Sequence, residues 1–138
     1  MNIRSVLGAA CASVAFAVAM PATAHETGET VTPDFEHVIP NIPGKSLTAV
    51  VIDYAPGGAS PSHEHAKSAF IYAYVVSGAI ESQVNDGPKR TYHAGESFFE
   101  EPGSLHRVSR NASKTRPAKL LAVFVVDSND RPLTTPVK

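Results

Sequence analysis

Two histidines, His63 and His65, stand two positions apart within residues 57–65, which read GGASPSHEH. If this stretch is extended, side chains two residues apart project from the same face. Both imidazoles could then bind one metal ion, at roughly 2.0–2.1 Å from each ring nitrogen. The pair alone is weakly specific, because six histidines in 138 residues give such a spacing by chance roughly once in four chains. Other segments must therefore supply further ligands and a fold that collects them.

The first 24 residues have the pattern of an export signal. A basic residue, Arg4, precedes an apolar run over residues 6–20, and Ala22-x-Ala24 forms a signal-peptidase site. The run is shorter than the ~20 apolar residues that a transmembrane helix requires. We therefore expect a cleaved signal peptide at residues 1–24 and a periplasmic or secreted mature protein.

Composition limits the partners and the means of stabilisation. The only cysteine, Cys11, lies in the predicted leader, so the mature chain can form no disulfide and must rely on a hydrophobic core. Its length suits one domain with such a core. The chain has 12 Lys and Arg against 13 Asp and Glu, without a basic cluster. We expect no nucleic-acid partner and, after signal cleavage, no membrane partner.

After residue 34, short segments rich in β-branched and aromatic residues alternate with Gly and Pro. Asp86-Gly87 is a strong hairpin signal, because both residues accept the positive φ of a tight turn. No stretch of a dozen residues has helical periodicity. The predicted strands are 35–39, 47–54, 70–76, 79–84, 89–93, 96–100, 106–109 and 120–127. This number of short strands indicates a small antiparallel barrel or sandwich.

The two ends of the mature chain look irregular. Residues 25–34 are polar and predict a flexible N-terminal arm. Residues 129–138 contain two prolines and predict a C-terminal tail. These boundaries leave one barrel over residues 35–128.

Two gapped motifs within residues 57–111 resemble the two motifs of the cupin superfamily. The first is matched by Gly57, His63, His65 and Gly78, and the second by Gly95, Glu101, Pro102, Gly103 and His106. Two motifs in the right order, separated by a short hairpin, are far more specific than the histidine pair. The resemblance implies an all-β, single-domain jelly-roll barrel, the double-stranded β-helix. It also implies pairing into a homodimer.

Carried over residue by residue, the resemblance makes His63, His65 and His106 metal ligands. Three imidazoles leave coordination positions open for water, substrate or oxygen. We expect one divalent transition metal, with iron or zinc first and manganese, nickel or copper as alternatives, because imidazole suits several of these ions. The competing interpretation is a metal-free barrel in which the three histidines only line a pocket.

The sequence also departs from the family pattern. The glutamate ligand of the first motif falls on Ile71, which cannot bind a metal. Glu100 could supply a carboxylate near His106, and if it points into the barrel it could act as a general base. Glu101 is better explained as a solvated strand end. Gln83 could offer an amide oxygen.

Tyr72 and Phe98 lie on predicted strands beside the candidate ligands, where they could line a substrate pocket or belong to the ordinary core. Without a carboxylate the site resembles three-histidine cupins such as thiol dioxygenases. With one, it resembles the dioxygenases, decarboxylases and isomerases of the superfamily. We expect an exported, mononuclear metal-dependent oxidoreductase of the dioxygenase type, or an isomerase, that acts on a small organic molecule. The alternative is a cupin module that binds a small molecule or a metal without turnover.

Overall fold

The computed structural model describes residues 27–138, which form ten β-strands in two five-stranded antiparallel sheets. The strands are β1 (Glu29–Val38), β2 (Lys45–Tyr54), β3 (His63–His65), β4 (Phe70–Ser77), β5 (Ala79–Val84), β6 (Arg90–His93), β7 (Ser97–Glu100), β8 (Leu105–Asn111), β9 (Ala118–Asp127) and β10 (Thr134–Pro136). Sheet A has the order β1-β2-β9-β4-β7, and sheet B has the order β10-β3-β8-β5-β6. The expected all-β fold is confirmed.

Alternation along the central strands builds the core. In β9 every second residue is buried, from Ala118 to Val126, because successive side chains of a strand face opposite sides of the sheet. Ile71 and Val75 of β4 are buried on the same side of sheet A. Ile80 of β5 meets them from sheet B. The core therefore lies between the two sheets.

The predicted signal peptide at residues 1–24 lies outside the described residues. Within residues 27–138, no helix has the length and apolar character needed to cross a bilayer.

The structure corrects the part that it describes of the N-terminal arm predicted over residues 25–34. From Glu29 onward the chain is strand β1, with Glu29 opposite Tyr54 and Val38 opposite Ser46 of β2. The strand lies at the edge of sheet A and almost all of it is exposed, so no buried period marks it in the sequence. Pro33 stands beside a register shift, and an edge strand tolerates its missing N–H.

The C-terminal tail predicted over residues 129–138 is corrected in the same way. Strand β10 pairs with the His-x-His strand β3, with Thr134 opposite His65 and Pro136 opposite His63. A strand of three residues is too short to produce a periodic signal. This segment therefore becomes a structural neighbour of the candidate ligands.

Candidate metal centre

Strands β3 and β8 of sheet B bring the three histidines together. His63 lies directly opposite His106 in the register of these strands. His65 and His106 are buried and His63 is half-buried. One ring nitrogen from each histidine lies within 4.8 Å of the others. The residues selected from the two sequence motifs thus form one cluster, although the motifs are separated by the β4–β7 segment.

Sheet A contributes a carboxylate to the same cluster. Glu100, at the end of β7, is only 3% exposed. Its Oε1 lies 3.1 Å from Nδ1 of His106, and its Oε2 lies 2.9 Å from Nε2 of His65. A single carboxylate from one sheet therefore contacts two imidazoles from the other.

The protonation of His63 suits a metal ligand. Burial lowers the pKa of His63 from 6.5 to about 4, although its hydrogen bond to the Pro61 carbonyl opposes this shift. The ring is therefore neutral near pH 7. Nδ1 lies 2.8 Å from the carbonyl oxygen of Pro61, and because a carbonyl only accepts, Nδ1 is the donor. The lone pair of Nε2 then remains available for a cation.

Glu100 is held in its ionised form. Burial by itself raises the pKa of this carboxyl group, but the His106 and His65 imidazoles at its two oxygens more than offset burial and lower the pKa to about 2. A charged carboxylate beside imidazoles is a suitable partner for a cation.

Several polar atoms of the cluster remain unsatisfied. Among the described residues, neither ring nitrogen of His65 nor Oε2 of Glu100 has a hydrogen-bond partner, although Nε2 of His65 lies 2.9 Å from Oε2 of Glu100. Buried polar atoms without partners are costly, at ~1–3 kcal/mol each. Three imidazoles and one carboxylate are a donor set that a divalent transition metal accepts. The residues present therefore fit such an ion.

Ser82 contacts the ring nitrogen of His106 that does not face Glu100. Its Oγ lies 2.9 Å from Nε2 of His106, while Nδ1 of the same ring faces Glu100. Without a bound metal, Nδ1 donates to Glu100, because the carboxylate only accepts, and Nε2 accepts from Ser82. A metal bound at Nδ1 would leave the ring proton on Nε2, which would then donate to Ser82. Ser82 is buried and orients the imidazole. Sequence reasoning missed this residue, since a single serine on a strand carries no motif.

A cavity of about 200 Å³ adjoins the cluster. The three histidines and Glu100 line one part of it, and apolar side chains of sheet A form much of its wall. The apolar side chains include Val50, Ile52, Ile71, Leu120, Ala122 and Phe124. Five further polar residues, which sequence reasoning also missed, line the cavity: Glu29, Tyr54, Ser60, Ser109 and Thr134. The site can therefore enclose a small, largely apolar molecule beside polar groups.

The structure places Tyr72 outside this cavity. Its neighbours Ile71 and Ala73 face the cavity, so Tyr72 projects from the opposite face of β4 and is 44% exposed. The expectation that Tyr72 lines a substrate pocket is corrected for this reason.

Phe98 and Gln83, the other two pocket candidates, do not line the cavity either. The Phe98 ring packs against Tyr92, with centroids 4.7 Å apart, and meets His106 edge-on at 6.1 Å. It is not among the residues that line the cavity. The Gln83 amide donates to the Gly87 carbonyl at 3.0 Å and stays within the hairpin. Phe98 thus supports a candidate ligand, while Gln83 stabilises a turn.

Comparison with known proteins identifies the family. Residues 50–124, more than half of the chain, match the family described as Cupin domain. This chain belongs to the cupin family. The resemblance drawn from the two sequence motifs is thereby confirmed.

Individual relatives of this cupin agree with the assignment. Germin-like protein subfamily 2 member 2 of Arabidopsis thaliana is 31% identical over 112 residues, which are 78% of this chain and 50% of the relative. The chain therefore spans about half the length of the curated relatives it matches.

Solved structures give the same result. An oxalate oxidase in complex with the substrate analogue glycolate superposes with a TM-score of 0.63 at 25% identity, over 84% of this chain and 58% of that one. A Klebsiella pneumoniae protein with a double-stranded β-helix domain gives 0.62 at 20% identity, over 86% and 90%. The second likeness shows the fold alone. The three-histidine cluster and the cupin relatives together indicate a divalent metal.

Proposed function

We propose that this cupin binds one divalent transition metal through His63, His65 and His106 and acts as an oxidoreductase on a small organic molecule. The observation that carries the proposal is the approach of three ring nitrogens to within 4.8 Å beside a buried, unsatisfied carboxylate oxygen. The similarity to an oxalate oxidase supports an oxidoreductase over the other reaction classes of the superfamily. We keep iron or zinc as the first candidates and manganese, nickel or copper as alternatives.

Glu100 is better suited to hold the metal than to act as a general base. A base works best when its pKa lies near the working pH, whereas the pKa of Glu100 is lowered to about 2. Its Oε2 is buried without a hydrogen-bond partner among the described residues. We therefore assign Glu100 as the fourth protein ligand, in place of the base suggested by the sequence.

When bound, a divalent metal would supply Lewis-acid or redox chemistry to a substrate oxygen. The chain itself provides the surroundings. Ser82 fixes the His106 ring, and the wall that includes Ile52, Leu120 and Phe124 offers water no polar side chain. The substrate would lie between this wall and the histidines.

Metal content tests the proposal. The untagged protein, refilled with Fe, Mn, Zn, Ni or Cu, should retain about one equivalent of one of these ions. A His63→Ala, His106→Ala variant should lose it, whereas His93→Ala, which changes an exposed histidine, should not. A wild type that retains none of the five ions would contradict the proposal.

Turnover separates the enzyme from the binding module. Oxygen consumption by the loaded protein should be measured against small thiols, phenols, alcohols, amines and dicarboxylates. Consumption that disappears in the His63→Ala, His106→Ala variant supports the oxidoreductase. Stable metal retention without turnover of any compound would favour the non-catalytic alternative.

We also propose that the chain is exported, on the strength of the leader pattern in residues 1–24. Expression of the full chain in a bacterium should yield a periplasmic or secreted protein that begins at His25. N-terminal sequencing of the exported fraction measures this directly. An uncleaved protein retained in the cytoplasm would contradict it.

A further inference from the structure

Four polar side chains form a hydrogen-bonded chain that faces the same cavity as the histidines. Tyr54, at the end of β2, is 2% exposed. Its Oη lies 2.6 Å from Oγ of Ser60 and 2.8 Å from Oγ of Ser109. Ser60 in turn donates to Oε2 of Glu29, which stands opposite Tyr54 across the β1–β2 pair. All four residues line the cavity.

The donor inventory fixes the direction of this chain. A carboxylate only accepts hydrogen bonds, so the single hydroxyl proton of Ser60 is directed at Glu29. Ser60 must then accept from Tyr54, and Tyr54 must accept from Ser109. Burial raises the pKa of Tyr54, although its hydrogen bonds to Ser109 and Ser60 oppose the shift, so the phenol keeps the proton that it donates. The chain therefore ends at Glu29, whose two oxygens offer about four acceptor sites.

The charged side chains that line the metal-free cavity have one sign. Two carboxylates, Glu29 and Glu100, line it, and within residues 27–138 no lysine or arginine does. An anionic group placed beside Glu29 would lack a cationic side chain to pair with, and a buried unpaired charge is costly. A ligand that donates a hydrogen bond to Glu29 gains a bond strengthened by the charge of the acceptor.

The size of the cavity limits the ligand. An apolar cavity of about 150 Å³ takes one benzene molecule, and this cavity measures about 200 Å³. Its wall includes Ile52, Leu120 and Phe124, which suit a hydrocarbon skeleton. One ring with a short polar substituent matches both the volume and the lining.

We propose that the Glu29 end of the cavity is a subsite for the hydrogen-bond donor of a small ligand, a primary amine or an alcohol with an apolar body. The subsite favours a neutral or cationic ligand over a carboxylate. As a substrate class, this inference rests on the proposed function, because the same cavity would hold the substrate. As a binding preference, it requires no metal.

A matched set of probes tests the subsite. Benzylamine, benzyl alcohol and benzoate share one skeleton, and their binding to the metal-free full-length protein can be measured by calorimetry or ligand-observed NMR. Benzylamine should bind most tightly and benzoate most weakly. Glu29→Gln should weaken benzylamine binding by about tenfold, corresponding to about 1.4 kcal/mol, and should change benzyl alcohol binding less. Asp34→Asn, an exposed position on the same strand, should leave all three affinities unchanged.

Three results would overturn the subsite. They are benzoate binding as tightly as benzylamine, an unchanged benzylamine affinity in Glu29→Gln, and no binding of any probe at millimolar concentration. The order of the three probe affinities is measured on the wild type, so it tests the subsite even if Glu29→Gln does not fold. Metal content, measured on separately refilled samples, reports on the proposed function independently. Either idea can therefore fail without the other.

Discussion

Glu100 lies directly opposite Ile71 in the register of β4 and β7. Ile71 occupies the position where the first cupin motif has its glutamate, so this chain has its carboxylate on the neighbouring strand instead. Both residues line the cavity, as expected for cross-strand partners that share one face of a sheet. The histidine cluster therefore has a carboxylate beside it, although this chain has Ile71 in place of the motif glutamate.

The first prediction concerns this carboxylate. Glu100→Gln should lower metal affinity by roughly 10- to 100-fold, because it removes the charge and one anionic ligand while it keeps the shape. Ile71→Glu combined with Glu100→Ala should bind metal more tightly than Glu100→Ala alone, since it restores a carboxylate across the strand pair. Competition with a chromogenic chelator measures both effects. Wild-type affinity in Glu100→Gln would remove this residue from the site.

Strand β10 should influence the metal site through the backbone. Strand β3 has only three residues and pairs with β10 on one side and β8 on the other. Deletion of residues 134–138 should therefore release one side of the ligand strand and lower metal affinity by roughly 10- to 100-fold. A chain that lacks only Lys138 is the control. Equal affinities in the two truncated chains would show that β10 does not hold the ligands in place.

The stability of the metal-free protein should depend on pH through His63. Its pKa is 6.5 ordinarily and about 4 in the folded protein, so the unfolded chain binds the proton first as pH falls. The free energy of unfolding should thus decrease from pH 6.5 towards pH 4. Glu100 acts in a lower window, because its pKa falls from 4.5 to about 2 on folding.

Urea unfolding between pH 7 and 4.5 isolates the histidine effect from that of Glu100. His63→Gln should show a smaller decrease over this interval than the wild type. His93→Gln, at an exposed position, should behave like the wild type. An identical slope in His63→Gln would contradict the assigned origin.

We expect a second copy of the chain to cover the outer face of β4 and β7. Phe70, Tyr72 and Phe99 are exposed there by 40%, 44% and 59%, and the rings of Phe70 and Phe99 stack at 5.9 Å. Exposed apolar patches of this kind mark interfaces, and the family resemblance implies a homodimer. The wild type should sediment as a dimer, and Tyr72→Lys with Phe99→Glu as a monomer. Val38→Lys, an exposed site at the end of β1, is the control, and a monomeric wild type would refute the expectation.

The sequence predicted the parts of this protein that have a periodic or spaced signal. Strands β2, β4, β5 and β9 alternate between buried and outward residues, and the spacing of the two motifs selected the three histidines that the fold brings together. These features depend on local pattern, which the chain displays directly. The sequence left the direction of Glu100 open, and in the structure its side chain is buried and lines the cavity.

The remaining parts depend on which strands become neighbours. Strand β1 lies at an exposed edge, and β10 is too short for a periodic pattern. The sequence therefore predicted a flexible arm and a tail at these positions. Tyr72 was a pocket candidate because it is aromatic and lies on a strand beside the candidate ligands. Its neighbour Ile71 faces the cavity, so Tyr72 projects from the opposite face of the strand. Tyr54, Ser60 and Glu29 meet only after folding, and nothing in their spacing indicates a shared cavity.

Strands β2 and β9 are distant in the sequence and pair along their whole length. Lys45 lies opposite Asp127 and Tyr54 opposite Ala118, so the centre of sheet A joins segments far apart along the chain. Such non-local contacts make folding slow. The histidines of β3 and β8 also come from separate segments, and they come together when these two strands pair. We expect an ion to bind after these strands have paired, and therefore to slow unfolding more than it speeds folding, as for contacts absent from the transition state.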